Sequence, residues 1–61
     1  MKRKDLIRLL EAGGWKFDRS GGKHDIYWKD GASRPIPVKR HREIPEHEAK
    51  EILKQAGLQQ D

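Results

Sequence analysis

An α+β fold in the order α-β-β-β-α is predicted by three observations. Segments of helical apolar spacing lie at the two ends of the chain, the residues between them alternate with period two, and each change of period coincides with glycine or proline. A three-stranded antiparallel sheet with both helices on one face satisfies that order. The 61 residues make one domain, residues 1–61. It lies near the lower size limit for folding without a metal or disulfide, because so small a domain buries only about 60% of its unfolded surface. Leu, Ile, Val and Phe supply just 12 residues, so Trp15, Trp28 and Tyr27 must add buried area.

The first helix is expected over Lys4–Ala12, KDLIRLLEA, where Leu6, Leu9 and Leu10 have helical spacing, Ile7 lies beside them, and Arg8 and Glu11 take the other face. Gly13-Gly14 ends it. Trp15 and Phe17 then alternate with Lys16 and Asp18, SGG forms a turn, and His24, Ile26 and Trp28 alternate with Asp25, Tyr27 and Lys29. On that pattern Ile26 and Trp28 face the helices, and His24 nominally points the same way from the sheet margin. A second turn at Asp30–Ser33 leads to RPIPV, Arg34–Val38, in which Ile36 and Val38 alternate with prolines. Proline cannot donate to a ladder, so this third strand belongs at an edge of a sheet in sequential order.

The last helix is expected over Pro45–Ala56. Proline suits the first helical position, and Glu46 and Glu48 put negative charge at the positive end of the helix dipole. Ala49, Ile52, Leu53 and Ala56 form its buried stripe, and Gly57-Leu58 matches a Schellman ending in which Leu58 touches Leu53. Only the last residues are expected to fray.

Charge and composition narrow the function classes. The net charge is +4, with 12 Lys or Arg against 6 Asp or Glu in residues 1–45 and 2 against 4 in residues 46–61. A basic body suits a polyanionic partner, although a solvated face with no partner has the same composition. The absence of cysteine excludes a disulfide scaffold and a cysteine zinc site. No signal peptide or apolar run of membrane-spanning length is present, so a cytoplasmic protein without membrane association is expected. Two helices on one face of a three-stranded sheet is the arrangement of double-stranded RNA-binding domains, in which a lysine-rich start of the second helix grips phosphates. Here that stretch is PEHEAKE, acidic where phosphate contacts would be needed. The cations lie instead in KRHRE, Lys39–Glu43, and around the hairpin at Lys16, Arg19, Lys23 and Arg34.

The stretch GGKHDIYW places His24 between a glycine turn and a strand. From the residues alone it reads first as an ordinary surface strand residue, and only after that as a ligand or a proton-transfer group. Metal ligation lacks company, since His41 and His47 are six apart with Pro45 between them, and no metal or cofactor is expected. Histidine is the side chain that takes and returns a proton near neutral pH. RNA offers it a reaction, because the deprotonated 2′-hydroxyl attacks the adjacent phosphate. DNA lacks that hydroxyl, and no direct DNA binding is expected.

The opening KDLIRLLEAGGW, the turn and strand GGKHDIYW, the strand RPIPV, and KRHREI before a helix ending EILKQAGL together resemble the HicA family of toxins from type II toxin-antitoxin systems. The resemblance implies a double-stranded-RNA-binding-domain-like fold and a metal-independent endoribonuclease that cleaves mRNA and arrests translation and growth. It also implies a cognate HicB antitoxin that covers the active site. The family's catalytic histidine corresponds to His24 and its motif glycine to Gly22, while Lys23 departs from the Gly-Ser-His of many relatives. Lys23, Arg40 and His41 are then candidates to contact RNA phosphate. Two other readings stay open: a non-catalytic RNA-binding module of the same fold, and an interaction protein whose edge strand or sheet face is bound by a partner.

Overall fold

Register between strands decides which residues the helices cover. The computed structural model describes residues 1–58 and contains α1 (Arg3–Ala12), β1 (Lys16–Gly21), β2 (His24–Trp28), β3 (Ile36–Lys39) and α2 (Glu46–Gln55). The strands form one antiparallel sheet in the order β1-β2-β3, as the prolines of β3 require of an edge strand. Leu6 and Leu10 of α1 and Ala49 and Leu53 of α2 meet Tyr27, Ile36 and Val38 of the sheet in one core, completed by Trp15, Ile44 and Ala56. Both helices therefore cover the same face. The fraying expected of the last residues falls at 59–61, outside the described residues.

The face assigned to β2 by alternation is corrected by this register. Tyr27 pairs with Ile36 and Asp25 with Val38, and cross-strand partners share a face. Ile36 and Val38 are buried, so Tyr27 is the inward residue, 6% exposed, whereas Trp28 is 38% exposed. Both parities of HDIYWK carry apolar side chains, which is why alternation alone chose wrongly. His24, Ile26 and Trp28 consequently occupy the open face.

The hairpin is also tighter than SGG suggested. Ser20 and Gly21 continue β1, leaving the two-residue turn Gly22-Lys23, and Trp15 is buried just before the strand begins. An irregularity between Phe17 and Arg19 shifts the register of β1. Phe17 stays opposite Tyr27, edge to face with ring centroids 6.0 Å apart, at a margin the helices do not cover.

Backbone pairing fixes both helix ends. Arg3 N–H donates to Arg42 O and Ile44 N–H to Met1 O, each at 2.8 Å, tying the start of α1 to the segment before α2. Pro45 takes the extended cap position and α2 begins at Glu46. Both helices end in the Schellman pattern: Trp15 N–H reaches Leu10 O and Gly14 N–H reaches Glu11 O after α1, and Leu58 N–H reaches Leu53 O and Gly57 N–H reaches Lys54 O after α2. Gly57 has φ +74°, so Gly57→Ala is expected to cost about 1 kcal/mol, read as a lower urea midpoint at unchanged slope. Among the described residues no helix is long and apolar enough to cross a membrane.

Candidate active site

The hairpin turn sets the geometry around His24. Gly22 has φ +43° and nothing lies within 4 Å of where a Cβ would stand, so its backbone conformation, not crowding, calls for glycine. Half-buried His24 opens β2 opposite Gly21 on one side and Lys39 on the other. Gly21 presents no side chain on that face, and the Ile26 side chain packs over it.

An ion cluster on the opposite face holds this turn in place. The Arg40 Nε donates to Asp25 Oδ1 at 2.8 Å, its Nη1 to Gly22 O at 2.8 Å and its Nη2 to His24 O at 3.3 Å. Arg3 grips the other carboxylate oxygen, Nη2 to Oδ2 at 2.7 Å, while its Nε donates to Lys39 O at 2.7 Å. One carboxylate thus joins the start of α1, the hairpin turn and the end of β3. The Arg40 hydrogen bond, reinforced by the charges of Arg40 and Arg3 and opposed by partial desolvation, holds the Asp25 carboxyl below the usual aspartate range.

A groove of about 200 Å³ begins at His24 and runs past Pro37 and Lys39 to Ile44, Glu48, Glu51 and Ile52. Lys39 Nζ donates to Glu48 Oε1 at 2.6 Å across it, and that bond holds the Glu48 carboxyl below its ordinary value. A larger cleft of about 600 Å³ lies at the far end of β2, between Lys29–Arg34 and Gln55–Gly57. It contains no histidine and no carboxylate except Asp30, and so offers less chemistry.

The candidates read from sequence separate into two groups. Gly22, Lys23, His24 and Arg40 come together, Lys23 exposed at the turn tip without an ion-pair partner among the described residues. Exposed His41 lies in the segment after β3, and among the described residues its side chain makes no hydrogen bond to the others. Arg40 directs Nε, Nη1 and Nη2 at protein acceptors. Asp25 and Arg3 were missed, and Lys39 was named only within the basic run Lys39–Glu43. A lone acid inside a basic hairpin was the available signal for Asp25, since a carboxylate on the helix-covered face requires cationic partners.

This fold has a solved counterpart. A chain from a toxin-antitoxin complex of Streptococcus pneumoniae aligns with 39% sequence identity and a TM-score of 0.82, over 95% of this chain and 98% of that one. The family described as HicA toxin of bacterial toxin-antitoxin matches residues 3–58, and the chain belongs to that family. A search of curated proteins gave no match.

Proposed function

We propose that the chain is an endoribonuclease that cleaves mRNA without a metal, using His24 for proton transfer, and that a HicB antitoxin neutralises it by covering His24. The 2′-oxygen attacks the neighbouring phosphorus, the bond from phosphorus to the 5′-oxygen breaks, and the 2′-hydroxyl proton is removed as the leaving oxygen gains one. Products are a 2′,3′-cyclic phosphate and a 5′-hydroxyl, so no redox partner or co-reactant is required. The observation that carries the reading is the placement of His24: at the end of a strand, on the open face, with its backbone pinned by Arg40. Lys23 at the turn tip is the nearest exposed cation in sequence to serve phosphate charge, with His41 a more remote candidate. Arg40, which spends one N–H from each of Nε, Nη1 and Nη2 on Asp25, Gly22 and His24, serves by positioning. Action on mRNA in the cytoplasm, with growth arrest and no DNA substrate, belongs to the same proposal.

Purified protein in EDTA is expected to cut a single-stranded RNA into fragments ending in 2′,3′-cyclic or 3′-phosphate. An RNA with 2′-deoxyribose on the 5′ side of the mapped cut is expected to stay whole at that position. Binding without fragments under these conditions would instead favour the non-catalytic RNA-binding module, and cleavage of the deoxy substrate would exclude 2′-hydroxyl attack.

A further inference from the structure

Trp28, at the far end of β2 from His24, has no part in proton transfer and no evident part in the core. Resting on the ribonuclease reading, we infer that the open sheet face is a track for single-stranded RNA, with one base stacked on the Trp28 indole. The ladder between β2 and β3 ends at Tyr27↔Ile36, so Trp28 extends past β3 and keeps 38% of its surface in solvent. Its partner on β1 is Lys16 and its chain neighbour is Lys29. Neither lysine has an ion-pair partner among the described residues. Stacking on an exposed indole flanked by cations is how single strands are held without base-edge readout.

The remainder of the face runs from Trp28 to His24 along the three strands. Its strand positions are Lys16, Arg19 and Gly21 of β1, Ile26 and His24 of β2, and Pro37 and Lys39 of β3; Arg19 is paired with Asp18 and Lys39 with Glu48, so Lys16 and Lys29 beside Trp28 are the cations left for phosphate. A Cβ on Gly21 would stand 3.2 Å from Ile26 Cγ1, so glycine there keeps this part of the face low. Trp28 and His24 lie on one side of the strand about 13 Å apart at the usual rise per residue, so one oligonucleotide can reach both. The helical side suits a duplex poorly: Glu46 and Glu48 occupy the first turn of α2, and Lys39 is bonded to Glu48.

The test uses His24→Ala protein, which keeps the substrate intact, and an unstructured RNA of about 12 nucleotides, within the site sizes of single-strand binders. Binding is expected to quench tryptophan emission, because Trp15 is buried and Trp28 exposed. Trp28→Ala in that background is expected to raise Kd between about fivefold and about 150-fold, the alanine cost of one base stack. Trp28→Phe keeps most of the affinity and shows that loss of the ring, not a folding defect, is responsible. A duplex of the same length is expected to bind more weakly than the single strand. Unchanged Kd in Trp28→Ala, equal or tighter duplex binding, or a Trp28→Ala effect confined to the antitoxin complex would each overturn the assignment. If the protein with His24 intact leaves RNA whole while Trp28-dependent binding persists, the nuclease reading fails and the track stands.

Discussion

His24→Ala is expected to lower RNA cleavage by about 10²- to 10⁴-fold, the range for one general acid-base group, while the domain stays folded. Its imidazole is half-buried at the end of β2 and makes no hydrogen bond among the described residues. The contact that His24 does make to Arg40 uses its backbone carbonyl, which alanine retains. The thermal midpoint should therefore move little, a change of about 0.5 kcal/mol or less. In cells, induced wild-type protein should arrest growth and His24→Ala should not. Equal arrest and equal mRNA cutting by the variant would remove His24 from the chemistry. Loss of activity with loss of the cooperative melt would leave only a structural role. Fragment yield and melting curve on the same sample separate those outcomes.

Much of the fold was legible because local chemistry specified it. The double glycine after Ala12 and the Gly57-Leu58 ending each produce the Schellman bonds that their sequence implies, and the two prolines confine β3 to an edge. What failed was a long-range property. Whether Tyr27 or Trp28 points inward depends on pairing with Ile36 across a loop, and nothing within HDIYWK encodes that register. The same single-residue parity governed the reading of the site. With Trp28 inward, His24 sat awkwardly on the helix side; with Tyr27 inward, His24 is on the open face and Asp25 is delivered to Arg3 and Arg40. Sequence reading could therefore put His24 and Arg40 among the candidates, but it could not see that Arg40 donates to Asp25, Gly22 and His24.

That orientation gives Arg40 and Asp25 a shared expected effect. Arg40→Ala releases the Gly22 and His24 carbonyls, and Asp25→Asn weakens the carboxylate that aims Arg40 and Arg3. A displacement of His24 by about 1 Å costs on the order of 10²-fold in rate, so each variant should lose about that much kcat while Kd for RNA in the His24→Ala background changes little. Because both act through one cluster, the double variant should lose no more than the worse single one. A phosphate-contacting Arg40 predicts the reverse: Asp25→Asn would free the guanidinium and tighten RNA binding, and Arg40→Ala would flatten the salt dependence of Kd. The pH dependence supplies an independent readout. The Asp25 pKa is lowered in the folded protein, chiefly by its hydrogen bond from Arg40. Its stabilisation is therefore complete above the ordinary aspartate pKa of about 3.9 and is lost as pH falls through the lower folded value. Asp25→Asn should consequently melt with a shallower acid dependence below about pH 4, retaining the part due to Glu46 and Glu48, whose carboxyls are also held low. Between pH 6 and 8 the carboxylate stays ionised, so the rate loss of Asp25→Asn should be constant across that range. A loss that varied there would show that the variant alters the proton-transfer group itself, and not only the position of the turn that carries it.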